Sequence, residues 1–187
     1  YRMEKINNYG NWEIKLPPEA LKHGDLFKLS VHWDGGKGER IPSYATRVVQ
    51  DNKTKIFSAQ VWDPPKPYSW SSLDFKPAPG SPLIYEAHVG MATSEERTGT
   101  YAEFTKNIIP RIVKAGYNTI QLMAIQEHPF YGSFGYHVSN FFAASSRFGT
   151  PEELKELVDT AHASGLRVIM DLVHSHAVKN INEGLGL

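Results

Sequence analysis

Half of the chain's twelve prolines fall between residues 64 and 82, and the hydrophobic pattern differs on the two sides of them. Proline lacks a backbone donor and fixes its own φ, so this stretch cannot run through a helix interior or a central strand. It reads as a stiff linker or as a strap over a surface. The chain is thereby divided into 1–63, 64–82 and 83–187. In the first part apolar residues recur at every second position. Trp12, Ile14 and Leu16 alternate with Asn11, Glu13 and Lys15, and Phe27, Leu29, Val31 and Trp33 alternate with Lys28, Ser30 and His32. Period two with one apolar face predicts half-buried antiparallel strands over 11–16 and 27–33. Asp34-Gly35-Gly36-Lys37-Gly38 predicts a turn. Residues 44–49 and 56–62 predict two further strands, turning through Asp51-Asn52-Lys53. Several short strands separated by turns suggest a β-sandwich.

Beyond Pro82 the period changes. A short apolar run over 83–87 predicts a strand. Residues 101–115 carry helical spacing broken by Pro110, which predicts a first helical piece, a break near 107–109 and a second piece starting at Pro110, with Gly116 at its end. A second strand is predicted over 118–125. Thr150-Pro151-Glu152-Glu153 is a helix start: threonine caps, proline fits the first position and the later glutamate completes a capping box. Leu154, Leu157, Val158 and Ala161 form one apolar face, Gly165 ends the helix, and 167–173 predicts a third strand. Strand-helix-strand-helix-strand implies a parallel sheet with right-handed crossovers.

Composition removes several classes of function. With 41% hydrophobic and 21% charged residues the chain is globular rather than disordered. It contains no apolar run of about 18 residues, so no transmembrane helix is expected, and its first residues do not read as a signal peptide. Twenty basic side chains balance twenty acidic ones, which argues against nucleic acid or a membrane surface as partner. Zero cysteines exclude disulfides, thiolate metal sites and cysteine nucleophiles, and fit a cytoplasmic location.

In parallel α/β folds ligands bind at the carboxyl ends of the strands. The first predicted strand ends in Glu86 and His88, the second in Gln126, Glu127 and His128, and the third in His174 and His176. A single strand-end histidine is more often a packing residue than a ligand. Clustering of three segments at one rim is what points to a site. His174-x-His176 on a strand would aim two imidazoles to one side and Asp171 to the other, a partial metal motif with too few ligands. The segment 130–142 carries Phe130, Tyr131, Phe134, Tyr136, Phe141 and Phe142, read mostly as the core of a long loop. Tyr136, between Gly135 and His137, is kept as a ligand contact, because an aromatic face suits the C–H face of a sugar.

Five segments carry a family resemblance. They are Leu83-Ile84-Tyr85-Glu86-Ala87-His88-Val89-Gly90, Gln121-Leu122-Met123-Ala124-Ile125-Gln126-Glu127-His128, Ser133-Phe134-Gly135-Tyr136-His137, Arg147-Phe148-Gly149-Thr150-Pro151-Glu152-Glu153-Leu154, and Asp171-Leu172-Val173-His174-Ser175-His176 followed by Lys179-Asn180 and Glu183-Gly184-Leu185. In this order they resemble the eukaryotic-type 1,4-alpha-glucan (glycogen or starch) branching enzymes of the alpha-amylase superfamily. Tyr9-Gly10-Asn11-Trp12-Glu13 and 42–51 resemble that family's carbohydrate-binding β-sandwich, without its leading strands.

The resemblance implies a multidomain β plus α/β chain. Residues 1–63 would be an incomplete antiparallel β-sandwich carbohydrate-binding module, 64–82 a linker, and 83–187 the first three βα units of a truncated (β/α)8 barrel. The implied reaction is a retaining double displacement that cleaves an α-1,4 link and transfers the chain to a glucan 6-hydroxyl. The family's nucleophile, acid/base and second aspartate would lie beyond Leu187, so a fragment with these bounds is expected to be inactive alone. The substrate-binding residues carried over are Tyr136, under the sugar at the cleavage point, His176, bonded to that sugar, and Asp171, which organises the site. His137 stands beside them, with His128, Glu86 and Trp12 as secondary candidates. Ser175 stands where calcium-dependent amylases have asparagine, so no metal and no cofactor is expected. The expected partner is an α-1,4-glucan, bound by a full-length monomer. Two alternatives stand: a non-catalytic glucan-binding fragment, and a metal-dependent barrel hydrolase using His174 and His176.

Overall fold

A computed structural model of the chain describes residues 1–178; Lys179-Asn180 and the Glu183-Gly184-Leu185 run lie outside the described residues. The first part holds β1 (Glu4–Lys5), β2 (Trp12–Glu13), β3 (Leu26–Phe27), β4 (Leu29–Trp33), β5 (Gly36–Arg40), β6 (Val48–Gln50) and β7 (Phe57–Gln60). All pair antiparallel, as β1-β2, β4-β5 and β3-β7-β6. The strand expected over 11–16 is two residues long, and its Trp12 is exposed. The strand expected over 27–33 breaks at Lys28. The glycine-rich turn is shorter than expected, because only Asp34-Gly35 turns, with Gly35 at φ 85°. Gly36 and Gly38 belong to β5, where a Cβ on Gly36 would lie 3.0 Å from the Trp33 indole. Those glycines make room for a tryptophan rather than for a bend.

The second part contains β8 (Ile84–Ala87), α1 (Tyr101–Asn107), α2 (Ile109–Lys114), β9 (Thr119–Leu122), β10 (Gln126–Glu127), β11 (Asn140–Ala144), α3 (Pro151–Ala163) and β12 (Arg167–Met170). The parallel sheet is present in the order β8-β9-β12. It is an open sheet among the described residues, not a closed barrel. Thr100 and Thr150 both make complete capping boxes, with Glu103 and Glu153. Ile108 ends α1 and begins α2, which places Pro110 in a first turn where no N–H is missed.

Ile120 and Leu122 are fully buried on the helix-facing side of the sheet, against Phe104, Ile112, Leu157 and Leu166. The opposite side carries Ile84, Glu86, Gln121 and Ile169, with Glu86, Gln121 and Ile169 in one row of the register. A second core joins the two parts: Ile41, Val48, Phe57 and Ala59 pack with Ala143 of β11.

The proline-rich segment is a strap fixed along its length. Buried Asp159 of α3 accepts hydrogen bonds from Tyr68 Oη, Ser71 N, Ser71 Oγ and Ser72 N, at 2.8–2.9 Å. Those donors, led by the Ser71 N–H, hold its carboxyl down to about 2. Phe75 stacks on His162 with centroids 4.3 Å apart, and Asn118 Nδ2 donates to Ser81 O. At the seam Arg47 Nη1 donates to Gly149 O at 2.7 Å, and Trp62 Nε1 donates to Glu152 Oε2 at 2.6 Å.

Candidate functional site at the carboxyl end of the parallel sheet

Asp171 follows β12 directly, and its N–H donates to Leu122 O, extending the parallel ladder by one residue. By strand parity its side chain shares the face of Glu86, Gln121 and Ile169. Tyr136 arrives from the loop between β10 and β11, and its phenol donates to Asp171 Oδ2 at 2.7 Å. Two residues thirty-five apart in sequence, both singled out beforehand, therefore meet. The Asp171 bond, with burial and the nearby Glu86 charge, pushes the Tyr136 hydroxyl up to about 12, so it stays protonated and donating. Glu86 Oε1 accepts from Gln121 Nε2 at 3.0 Å on the same sheet face.

Local backbone explains how Tyr136 gets there. Phe134 and Gly135 both adopt positive φ, 54° and 90°. A Cβ on Gly135 would lie 1.8 Å from Ala124 O. Only glycine permits this approach of loop to strand end, and the turn closes through Tyr136 N to Ser133 O. Val178 N donates to Val138 O, which lays the segment after β12 along the same loop.

The other sequence candidates separate. His137 and His176 are exposed in the neighbourhood of this loop and segment. The strand ends at Met170, so the His-x-His parity does not apply, and His174 turns edge-on to Phe141 with centroids 5.2 Å apart. Trp12 lies on the β1-β2 hairpin, exposed and outside this cluster. The loop aromatics expected in a core divide: Phe130 and Phe142 are exposed at 63% and 56%, while Tyr131 is partly buried against the main core. The buried ring is Phe148, which packs edge-on to His88 and near His128.

His128 and Glu127 are not at a parallel strand end. β9 stops at Leu122, and 126–127 pairs instead with β11, an antiparallel hairpin that the sequence pattern did not reveal. Glu127 is wholly buried. It accepts from Ser145 Oγ, Ser146 N, Ser146 Oγ and His128 N, while burial pushes its carboxyl up. This carboxylate pins the segment that leads into α3, and the only sequence signal for it was a Glu flanked by Gln126 and His128.

His128 is also wholly buried, with Nδ1 donating to Gln126 O at 2.8 Å. Burial lowers its pKa to about 4, and burial lowers that of His88 as well. Above pH ~6.5 both folded and unfolded chains hold a neutral His128, and there is no cost. Below it only the unfolded chain gains the proton, so stability falls as pH drops from ~6.5 to about 4, by about 3 kcal/mol for this one group. Urea unfolding at pH 7 and pH 4.5 is expected to show the loss. His128→Asn, which keeps a donor for Gln126 O, is expected to flatten that slope.

Residues 93–183 match the catalytic domain of the alpha amylases. Over 99% of its length the chain is 50% identical to the 1,4-alpha-glucan-branching enzyme of Yarrowia lipolytica, of which it spans 28%. The chain belongs to the alpha-amylase superfamily. The branching enzymes of Saccharomyces cerevisiae and Equus caballus are each 45% identical over the whole chain, which spans 29% and 27% of them. Solved structures reproduce the fold at lower identity. A putative alpha amylase from Salmonella typhimurium superposes with a TM-score of 0.70 at 22% identity, covering 96% of this chain and 30% of that one. The catalytic module of the glycogen-degrading pneumococcal virulence factor SpuA does so at 0.72 and 19%, covering 95% and 32%. The chain thus spans under a third of the curated relatives and solved structures named here.

Proposed function

We propose that the chain forms the donor-site portion of a 1,4-alpha-glucan-branching enzyme, which cleaves an α-1,4 link and passes the chain to a 6-hydroxyl. The observation that carries this reading is the Tyr136–Asp171 hydrogen bond at the carboxyl end of the sheet, in a chain half identical to branching enzymes. A phenol fixed by a carboxylate holds its ring in one orientation, as a platform for the sugar at the cleavage point. His137, next to Tyr136 in the chain, and His176, on the segment after β12, are the proposed partners for sugar hydroxyls, since an imidazole can offer both a donor and an acceptor. We further read 1–63 as part of a carbohydrate-binding β-sandwich module, 64–82 as the link and 83–187 as the start of a (β/α)8 barrel. On this reading the full-length enzyme is a cytoplasmic monomer acting on glycogen or starch.

The test uses the full-length enzyme that carries these residues. Incubation with amylose is expected to produce α-1,6 anomeric proton signals by NMR without a matching rise in reducing ends. Tyr136→Phe is expected to lower kcat about tenfold or more, because it removes a bond to a charged acceptor of about 1.5–3 kcal/mol. Absence of α-1,6 links overturns the reading, and unchanged kinetics for Tyr136→Phe removes the Asp171 bond from it.

A further inference from the structure

Glu86 is an exposed carboxylate of the open sheet face that the reading above does not use. It stands in register with Gln121 and Ile169, with the apolar Ile84 two residues before it on the same face. Among the described residues one carboxylate oxygen has a side-chain partner: Oε1 accepts from Gln121 Nε2 at 3.0 Å. Asp171 lies one step beyond Ile169 on the same face and binds the Tyr136 phenol. Two carboxylates thus stand on one sheet face, Glu86 in the row of Ile169 and Asp171 one step beyond it, where the Tyr136 phenol binds it. No salt bridge to Glu86 or Asp171 forms among the described residues. The Glu86 charge acts on the Tyr136 hydroxyl in the same direction as that of Asp171, raising it.

Two like charges held near one another are unfavourable unless positive charge comes between them. Glycosyl transfer produces such charge, on the ring carbon and oxygen of an oxocarbenium-like transition state. Fixed carboxylates aimed at developing positive charge stabilise the transition state more than the neutral ground state.

We propose that Glu86 is an electrostatic positioning residue of this site: held by Gln121 beside the Tyr136–Asp171 pair, it makes the sheet end selective for a glucosyl ring carrying positive charge over a neutral one. The inference rests on the glucan-transfer reading above. It adds a residue whose role is charge rather than contact. The competing role is structural, a side-chain tie between β8 and β9.

Glu86→Gln separates the two, because the amide oxygen still accepts from Gln121 while the charge is gone. The experiment measures calorimetric binding of a protonated imino sugar and of neutral maltotriose to the full-length enzyme, together with kcat and KM on amylose. Glu86→Gln is expected to weaken the cationic ligand about fivefold or more and lower kcat by a similar factor. Maltotriose binding and KM are expected to stay within about twofold. Glu86→Asp, which keeps the charge, and Gln121→Leu, which keeps the charge but cuts the tie, are expected to retain most of the preference for the cation. Equal weakening of both ligands by Glu86→Gln, or no change in their ratio, overturns the proposal. Should Glu86→Gln fail to fold, loss of the cation preference in Gln121→Leu or Glu86→Asp overturns it equally. A wild type that prefers the cationic ligand yet forms no α-1,6 links would instead sink the branching assignment and leave the role of Glu86 standing.

Discussion

Glu127→Ala is expected to destabilise the chain by about 3–5 kcal/mol, the largest loss of any single truncation outside the apolar core. The residue is wholly buried, and four donors converge on it: the hydroxyls of Ser145 and Ser146 and the N–H groups of Ser146 and His128. Removal leaves the buried His128 N–H and the part-buried Ser146 N–H without acceptors, and each unsatisfied buried donor costs about 1–3 kcal/mol. It also takes a negative charge away from buried Arg47, whose own pKa burial lowers and Glu127 props up. Glu127→Gln is expected to recover little. Both oxygens are used, so the amide nitrogen would face a donor whichever way it is turned. Urea denaturation of both variants checks this, with an unchanged m-value and a lower midpoint as the expected result. A loss below about 1 kcal/mol for Glu127→Ala would show that the segment 145–149 is held by something else.

Gly135→Ala is expected to cost about 3 kcal/mol or more, and to cost function beyond that. Two penalties combine. The φ of 90° is one that residues with a side chain rarely adopt, and the added methyl would meet the backbone oxygen of Ala124 at 1.8 Å. The carbonyl lies in the buried connection between β9 and β10 and cannot rotate away as a side chain does, so the loop must retreat. Tyr136, the next residue, retreats with it and gives up its 2.7 Å bond to Asp171. The same urea measurement gives the stability loss. Fluorescence or NMR of the Tyr136 ring, followed in parallel with Tyr136→Phe, gives the displacement. If Gly135→Ala were neutral in stability and left the Tyr136 signal unchanged, the close approach to Ala124 would not position the site.

How much of the molecule was legible beforehand differs by element. The helix starts were legible because a capping box is a local device, complete within four residues: Thr150 to Glu153 reads the same in sequence and in space. The break between α1 and α2 followed from Pro110 for the same reason. The β10-β11 hairpin was not legible. β10 is two polar residues long, and a register shift between Gln126 and Glu127 removes the alternation that marks a strand. The glycines of β5 misled in the opposite sense, since a glycine that leaves room for Trp33 looks like one that supplies a turn.

The sequence by itself determined the parallel α/β order, the position of the strap and the identity of Tyr136 and Asp171 as candidates, because period, proline and motif are properties of neighbouring residues. Only the tertiary structure decided that Tyr136 and Asp171 touch while His174 and His176 do not form a pair. It also decided that His128 is a neutral core group rather than a rim ligand. Those outcomes depend on where β9 and β12 stop, at Leu122 and Met170. A strand ends where its neighbours cease to offer backbone partners, and that condition is set by residues far away in the chain.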